Sequence, residues 1–376
     1  MTPKIAQFLV DRQPATPCLV LDIDRVERNF HALARALPLA KIYYAVKANP
    51  AAPILERLVK LDSNFDAAGI EEIEMCLGAG AKPQAISFGN TIKKVSAIKR
   101  AFAAGVGMYA FDSAEELAKL AAHAPGAKVY CRLLVENEGA EWPLSRKFGT
   151  TLEMAGQMMV QAGKMGLDPF GLSFHVGSQQ TTTTSYEAAI SRVSMLFTDL
   201  KDAGVNIRMV NLGGGFPVRY STDVPEIDRF GDAIMGAMTR HFGNALPEML
   251  IEPGRYIVGD AGVIQSEVVL VCRKGAEDPI RWVYLDIGRF GGLAETEGEA
   301  IKYQITTAHD GSPTGPVIIA GPTCDGADIL YEKSNYRMPL ALECGDRVEL
   351  LAAGAYTTTY ASQRFNGFSP LAEHYV

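Results

Sequence analysis

From about residue 24 the chain alternates short apolar runs, rich in β-branched and aromatic residues, with longer stretches whose apolar positions recur at helical spacing. Asp24 followed by Glu27 reads as a capping box, after which Val26, Phe30, Leu33 and Leu37 fall on one face. Ser113 and Glu116 repeat the device. The apolar runs predict strands at Ile42–Lys47, Asn64–Ala68, Ala85–Gly89, Gly107–Phe111, Lys128–Leu134, Gly171–Val176, Arg208–Gly213 and Met249–Glu252. Eight successive βα units are what a closed (β/α)8 barrel requires, whereas an open doubly wound sheet reverses direction and uses fewer. The expected fold class is α/β, with a TIM-like barrel over residues 24–258.

Past Val258 the helical periodicity fades and β-rich runs follow at Gly262–Cys272, Ile280–Asp286, Pro316–Gly321 and Arg347–Leu351. These predict a C-terminal all-β domain over residues 259–376, joined by an N-terminal segment, residues 1–23, that adds a strand near Thr16–Leu21. A chain of 376 residues with 48% hydrophobic and 21% charged side chains has material for two such cores. The net charge of −7 gives no basic footprint for nucleic acid or an anionic membrane. No apolar run approaches the roughly 20 residues of a membrane span, and Met1–Val20 lacks the layout of a signal peptide, so the expected location is the cytoplasm. The six cysteines are scattered without CxxC or zinc spacing, so neither a disulfide framework nor a metal site is expected.

In a barrel of this kind the active site lies at the C-terminal ends of the strands. Those ends read Lys47, Asp66, Asn90, Asp112, Arg132, His175, the run Gly213, Gly214 and Gly215, and Glu252 with Arg255, nearly all polar or glycine. Lys47 closes an apolar run, where desolvation would make an amine nucleophilic; otherwise it is a lysine reaching out from a strand end. The glycine run would let backbone amides converge on an anion such as a phosphate, although tight turns also use glycine. Arg255 could add a fixed bidentate donor to that anion. Glu252 is either a simple partner for Arg255 or a carboxylate for a pyridine nitrogen, and His175 either a core residue or a ring that stacks on a cofactor.

Taken together these motifs resemble the fold-type III pyridoxal 5′-phosphate (PLP) decarboxylases, the ornithine, lysine and diaminopimelate decarboxylase group, related in barrel architecture to alanine racemase. The matches run from Tyr43 to Phe368. They are Tyr-Ala-Val-Lys-Ala-Asn, Phe-Asp-Ala-Ala, Ser-Phe-His-Val-Gly-Ser, Gly-Gly-Gly-Phe-Pro, Glu-Pro-Gly-Arg-Tyr, Gly-Pro-Thr-Cys-Asp-Gly-Ala-Asp, Gly-Ala-Tyr and Phe-Asn-Gly-Phe.

The resemblance implies a role for each matching position. Lys47 would be the Schiff-base lysine, His175 the stacking ring and Glu252 the pyridinium partner. Ser178, Gly213, Gly214, Gly215, Arg255 and Tyr356 would be phosphate ligands, with Asp66 and Arg132 supporting the lysine and histidine. Cys324 would return a proton to the α-carbon after carbon dioxide leaves, and Asp325 would receive the distal amine of the substrate. In the family these two come from the other subunit of a homodimer with shared active sites, in which Lys147 and Asp328 would form an intersubunit pair.

Diaminopimelate decarboxylases read Cys-Glu-Ser-Gly-Asp where this chain has Cys324-Asp-Gly-Ala-Asp, and they must also grip a second carboxylate. Asp325 suits a bare ammonium instead. The family's second acid lies on a short specificity helix, here Gly291 to Ala300, with Glu295, Glu297 and Glu299 in reach of the role. The implied reaction is decarboxylation of ornithine to putrescine, with some activity on lysine. Its alternatives are a lysine decarboxylase giving cadaverine, a diaminopimelate decarboxylase, and a catalytically silent regulator like the antizyme inhibitors.

Overall fold

The structure, a computed structural model, describes residues 1–135, 139–142 and 147–376. Eight parallel strands close on themselves: Ala40–Ala45, Asn64–Ala67, Ile86–Phe88, Met108–Phe111, Lys128–Arg132, Asp168–Ser173, Met209–Asn211 and Glu248–Ile251. Closure is made where Met249 of the last strand pairs with Ala40 of the first. Each strand is thus flanked on both sides, which leaves no unpaired edge. The interior is packed rather than hollow, since Tyr43, Met108, Ala110, Tyr130, Phe170, Met209 and Leu250 form one buried cluster. Each large side chain there contributes about 1.5–3 kcal/mol of burial. The Tyr130 hydroxyl is satisfied inside by Ser87 at 2.8 Å.

The β-rich runs of the C-terminal half form a nine-stranded sheet among the described residues. Its path runs Ile305–Thr307, Arg347–Leu351, Gly262–Cys272, Arg281–Leu285, Thr314–Ala320, Ile329–Tyr331. Cys18–Leu21 adds to it antiparallel against Gly262–Cys272, and Ala372–Tyr375 lies parallel to Cys18–Leu21. The expected N-terminal strand is therefore present. The core of this unit includes Leu19, Ile264, Val283, Leu285, Ile319, Tyr331 and Leu350.

Three details differ from expectation. The helix Ile23–Ala36 starts one residue before Asp24, because Asp22 is its cap and accepts from the amides of Asp24 and Arg25. A helix at Pro3–Arg12 was not foreseen; it buries only Ile5 and Leu9, too few to mark a face in sequence. The compact units are Glu27–Pro217 with Val224–Gly254, and Met1–Val26 with Val218–Asp223 and Arg255–Val376. Arg255–Val258 and the short stretch Val218–Asp223 thus group with the β unit. No helix among the described residues is long and apolar enough to cross a membrane.

Candidate active site

Lys47 does not end a strand. The first barrel strand stops at Ala45, and Val46–Ala48 make one 3-10 turn that buries Val46 and Ala48 and turns the lysine outward. Its side chain is 44% exposed, so the expectation that burial alone makes the amine nucleophilic is corrected. The turn is fixed at both ends: Ala45 N donates to Pro253 O at 3.0 Å, and the Tyr44 hydroxyl to Asn49 O at 2.8 Å.

Asp66, buried on the second strand, places Oδ2 3.7 Å from Lys47 Nζ. Burial pushes its carboxyl up to about 8, the nearby charge of Glu252 adds to that, and Lys47 offsets part of it. Oδ1 is buried with no hydrogen-bond partner among the described residues. Its approach depends on Gly89, where a Cβ would fall 1.8 Å from that oxygen. Arg132 ends the fifth strand; burial lowers its proton affinity while Glu252, Asp112 and Asp66 support the charge, and the guanidinium lies 5.2 Å from the Phe148 ring.

His175 follows the sixth strand by two residues. Gly177 N donates to its Nδ1 at 3.0 Å, which leaves the ring proton on Nε2. Burial, with the positive charges of Arg132 and Lys47, keeps the ring neutral. Ser178 opens the short strand Ser178–Gln180, paired with Ala140–Trp142.

Gly213, Gly214 and Gly215 are demanded by close approach. A Cβ on Gly213 would meet Phe174 O at 2.3 Å, on Gly214 it would meet Glu252 O at 2.4 Å, and on Gly215 it would meet Gly177 O at 2.5 Å. Gly213 and Gly215 also have φ of +67° and +102°. The loop is pinned by Gln180 N and the Tyr186 hydroxyl, which donate to the carbonyls of Gly215 and Gly214. The amides of Gly214 and Gly215 donate to no group among the described residues, as an anion cradle requires. Glu252, one residue past the eighth strand, accepts a short hydrogen bond from Asn211 Nδ2.

In the β unit, Arg255 is 3% exposed and forms a bidentate pair with Glu295, Nη2–Oε1 2.6 Å and Nη1–Oε2 2.8 Å. Nη1 also donates to the Tyr220 hydroxyl at 2.7 Å, and the guanidinium lies 4.9 Å from the Tyr356 ring. Glu295 was expected among the substrate contacts. Both its oxygens are instead engaged by Arg255 and it is 3% exposed, which removes it from that set. Glu297 pairs with Arg289 at 3.0 Å. Glu299 accepts from the amides of Glu332 at 2.7 Å and Lys333 at 2.5 Å; burial pushes its carboxyl up, but these bonds, Ser334 and Lys302 hold it below the usual range. The expected substrate role of Glu299 therefore meets a carboxylate already held by its own chain.

Cys324 and Asp325 lie in an exposed run that ends at Ala327. Cys324 N donates to Asn366 Oδ1 at 2.9 Å, and Asp325 Oδ1 accepts from Ala327 N at 2.8 Å. Asp328 is buried, and its oxygens accept from Arg289 N, Thr323 N and the Thr323 hydroxyl. Sequence reading missed Asn211, Gly89 and Tyr220. Of these, Asn211 stands just ahead of the glycine run and Gly89 just ahead of Asn90, whereas Tyr220 lies beside no candidate residue.

The donor set suits PLP: a reachable amine, and, among the described residues, a glycine cradle whose amides have no acceptor and a buried carboxyl oxygen without a partner. A family model described as the pyridoxal binding domain of pyridoxal-dependent decarboxylases matches residues 23–259. The lysine/ornithine decarboxylase of Selenomonas ruminantium is 34% identical over 98% of this chain and 91% of its own. Antizyme inhibitor 2 of Xenopus laevis is 30% identical over 95% of this chain and 80% of its own. Among solved structures, the arginine decarboxylase of Paramecium bursaria Chlorella virus, bound to agmatine, superposes with a TM-score of 0.91 at 25% identity, covering 100% of both chains. The chain belongs to the fold-type III pyridoxal-dependent decarboxylases of basic amino acids, and the family's cofactor is pyridoxal 5′-phosphate.

Proposed function

We propose that the protein decarboxylates L-ornithine to putrescine and accepts L-lysine with lower efficiency. The observation that carries this reading is the exposed pairing of Cys324 with Asp325, whose carboxylate is held by Ala327 N, in a chain that keeps Lys47 against Asp66. One carboxylate at that turn suits one distal ammonium. A second carboxylate, as in diaminopimelate, would meet Asp325 with like charge. The similarity to a lysine/ornithine decarboxylase supports the same substrate class. Antizyme inhibitor 2 is also a relative, but the retained lysine, glycine cradle and cysteine favour an enzyme over a silent regulator.

Lys47 would hold PLP through Nζ, the amides of Gly214 and Gly215 with Gly213 and Ser178 would hold its phosphate, and Glu252 would face its pyridine nitrogen. When bound, PLP supplies the electron sink that accepts the pair released as the bond to the carboxylate breaks. The neutral His175 ring, kept so by burial and by the charges of Arg132 and Lys47, offers a flat face without adding charge. Asp66 Oδ2 lies where it can exchange a proton with Lys47 Nζ as the amine is displaced and returns. Cys324 Sγ would deliver a proton to the α-carbon once carbon dioxide has left.

Cys324 and Asp325 would serve the other subunit of a homodimer. Beside them Phe365 and Phe368 are 37% and 44% exposed, an aromatic surface that a second copy would cover. The pairing of Asp328 with Lys147 of a second copy would have to share a carboxylate that already accepts three hydrogen bonds. Incubation with L-ornithine tests the function directly. Putrescine and carbon dioxide should form in equal amounts and be lost in Lys47→Ala; ornithine left unchanged by PLP-loaded protein would refute the proposal.

A further inference from the structure

Two acids and one base share the barrel mouth: Asp66 on the second strand, Glu252 after the eighth, and Lys47 beside Asp66. Asp66 is buried and Glu252 half-buried, and the charge of Glu252 acts on the Asp66 carboxyl. The chemistry needs the negative charge on Glu252, facing the pyridine nitrogen.

Asn211, the last residue of the seventh strand and 1% exposed, has the required geometry. Its Oδ1 accepts from Gly213 N at 2.9 Å. A backbone amide can only donate, so the carboxamide oxygen must face Gly213 and its NH2 must face Glu252. Asn211 Nδ2 accordingly donates to Glu252 Oε1. A donor that cannot accept favours the ionised carboxylate, whereas the buried Oδ1 of Asp66 meets no donor among the described residues. Glu252 is tied to the same loop by its own amide, which donates to Gly213 O at 2.8 Å.

We propose that Asn211 is a positioning residue that holds the Glu252 carboxylate with a group that can only donate to it, while coupling Glu252 to the glycine cradle through Gly213. The assignment rests on the proposed role of Glu252 toward PLP. The other groups that act on this pair are Tyr130 and Arg132 from the fifth strand and Lys47 and Glu72 through Asp66. The direct donor to Glu252 Oε1 is Asn211.

The test uses the PLP-loaded protein and two variants. In Asn211→Asp a carboxyl oxygen still accepts from Gly213 N, but a second carboxylate now faces Glu252. That pair holds one proton at low pH and mimics the amide donor; at high pH it loses the proton and the two charges repel. Asn211→Asp should keep activity near that of the unmodified protein at low pH and lose at least tenfold in kcat as pH rises. The absorbance of the bound cofactor should titrate over the same range. Asn211→Leu should lose at least tenfold in kcat at every pH, with less change in KM. Superimposable pH profiles and spectra for Asn211→Asp and the unmodified protein, or an unchanged kcat in Asn211→Leu, would overturn the assignment. Borohydride reduction separates the two levels. PLP fixed to Lys47 in the unmodified protein with indifferent variants defeats only the role of Asn211, whereas no fixation on Lys47 defeats the cofactor reading beneath it.

Discussion

Glu295 and Arg255 form a bidentate ion pair with both side chains no more than 4% exposed. A buried guanidinium without a counter-charge is expensive, so the pair matters more to the folded chain than its net electrostatic gain implies.

Glu295→Ala should therefore destabilise the protein by about 3–5 kcal/mol, the usual cost of removing one partner of a buried pair. Denaturant unfolding measures it. A variant as stable as the unmodified protein but with a raised KM for ornithine would return Glu295 to the substrate site.

Asp66 gives a pH dependence of known sign. Its folded-state carboxyl is raised to about 8 from an ordinary value of 3.8, so the folded chain binds more protons than the unfolded one between those limits. Stability of the cofactor-free protein should then fall as pH rises through about 4 to 8, and Asp66→Asn should flatten that slope. An identical slope in the variant would show that Asp66 is not the group responsible.

Gly214 is required by space rather than by conformation, since a Cβ there would lie 2.4 Å from the Glu252 carbonyl. Gly214→Ala should weaken PLP binding at least tenfold and lower stability by about 1–3 kcal/mol, as overpacking does. Absorbance titration and thermal unfolding report the two effects. Full cofactor occupancy at an unchanged Tm would mean that the loop yields freely.

The eight strands and the C-terminal sheet were legible because their apolar runs are dense and evenly spaced, yet most strand ends were placed too far along. Lys47, Gly89, Val176, Gly213 and Glu252 all lie beyond the last paired residue. Apolar character continues past the point where the ladder stops, because the first turn beyond a strand still faces the core: Val46 and Leu212 are buried in loops. The residues of the site could be picked out as polar or glycine interruptions of these runs. Their partners could not. Arg255 and Glu295 are 40 residues apart, and Asn211 and Glu252 are 41 apart, so only the closed fold shows which carboxylate each one holds.

The proposed sharing of active sites between two subunits carries a further expectation. Lys47→Ala and Cys324→Ala chains, each inactive, should regain roughly a quarter of the unmodified activity when allowed to exchange, because random pairing gives half heterodimers with one intact site each. Proven exchange without any recovery would place both residues in one subunit.

The most direct measurement is kcat/KM for L-ornithine, L-lysine, L-arginine and meso-diaminopimelate on the PLP-loaded protein. One methylene changes discrimination by about 1–3 kcal/mol, so lysine should follow ornithine by roughly 10- to 200-fold. Diaminopimelate should fall well below both, because its second carboxylate approaches Asp325. Diaminopimelate turned over as efficiently as ornithine, or no turnover of any of the four, would contradict a pocket built for one distal ammonium.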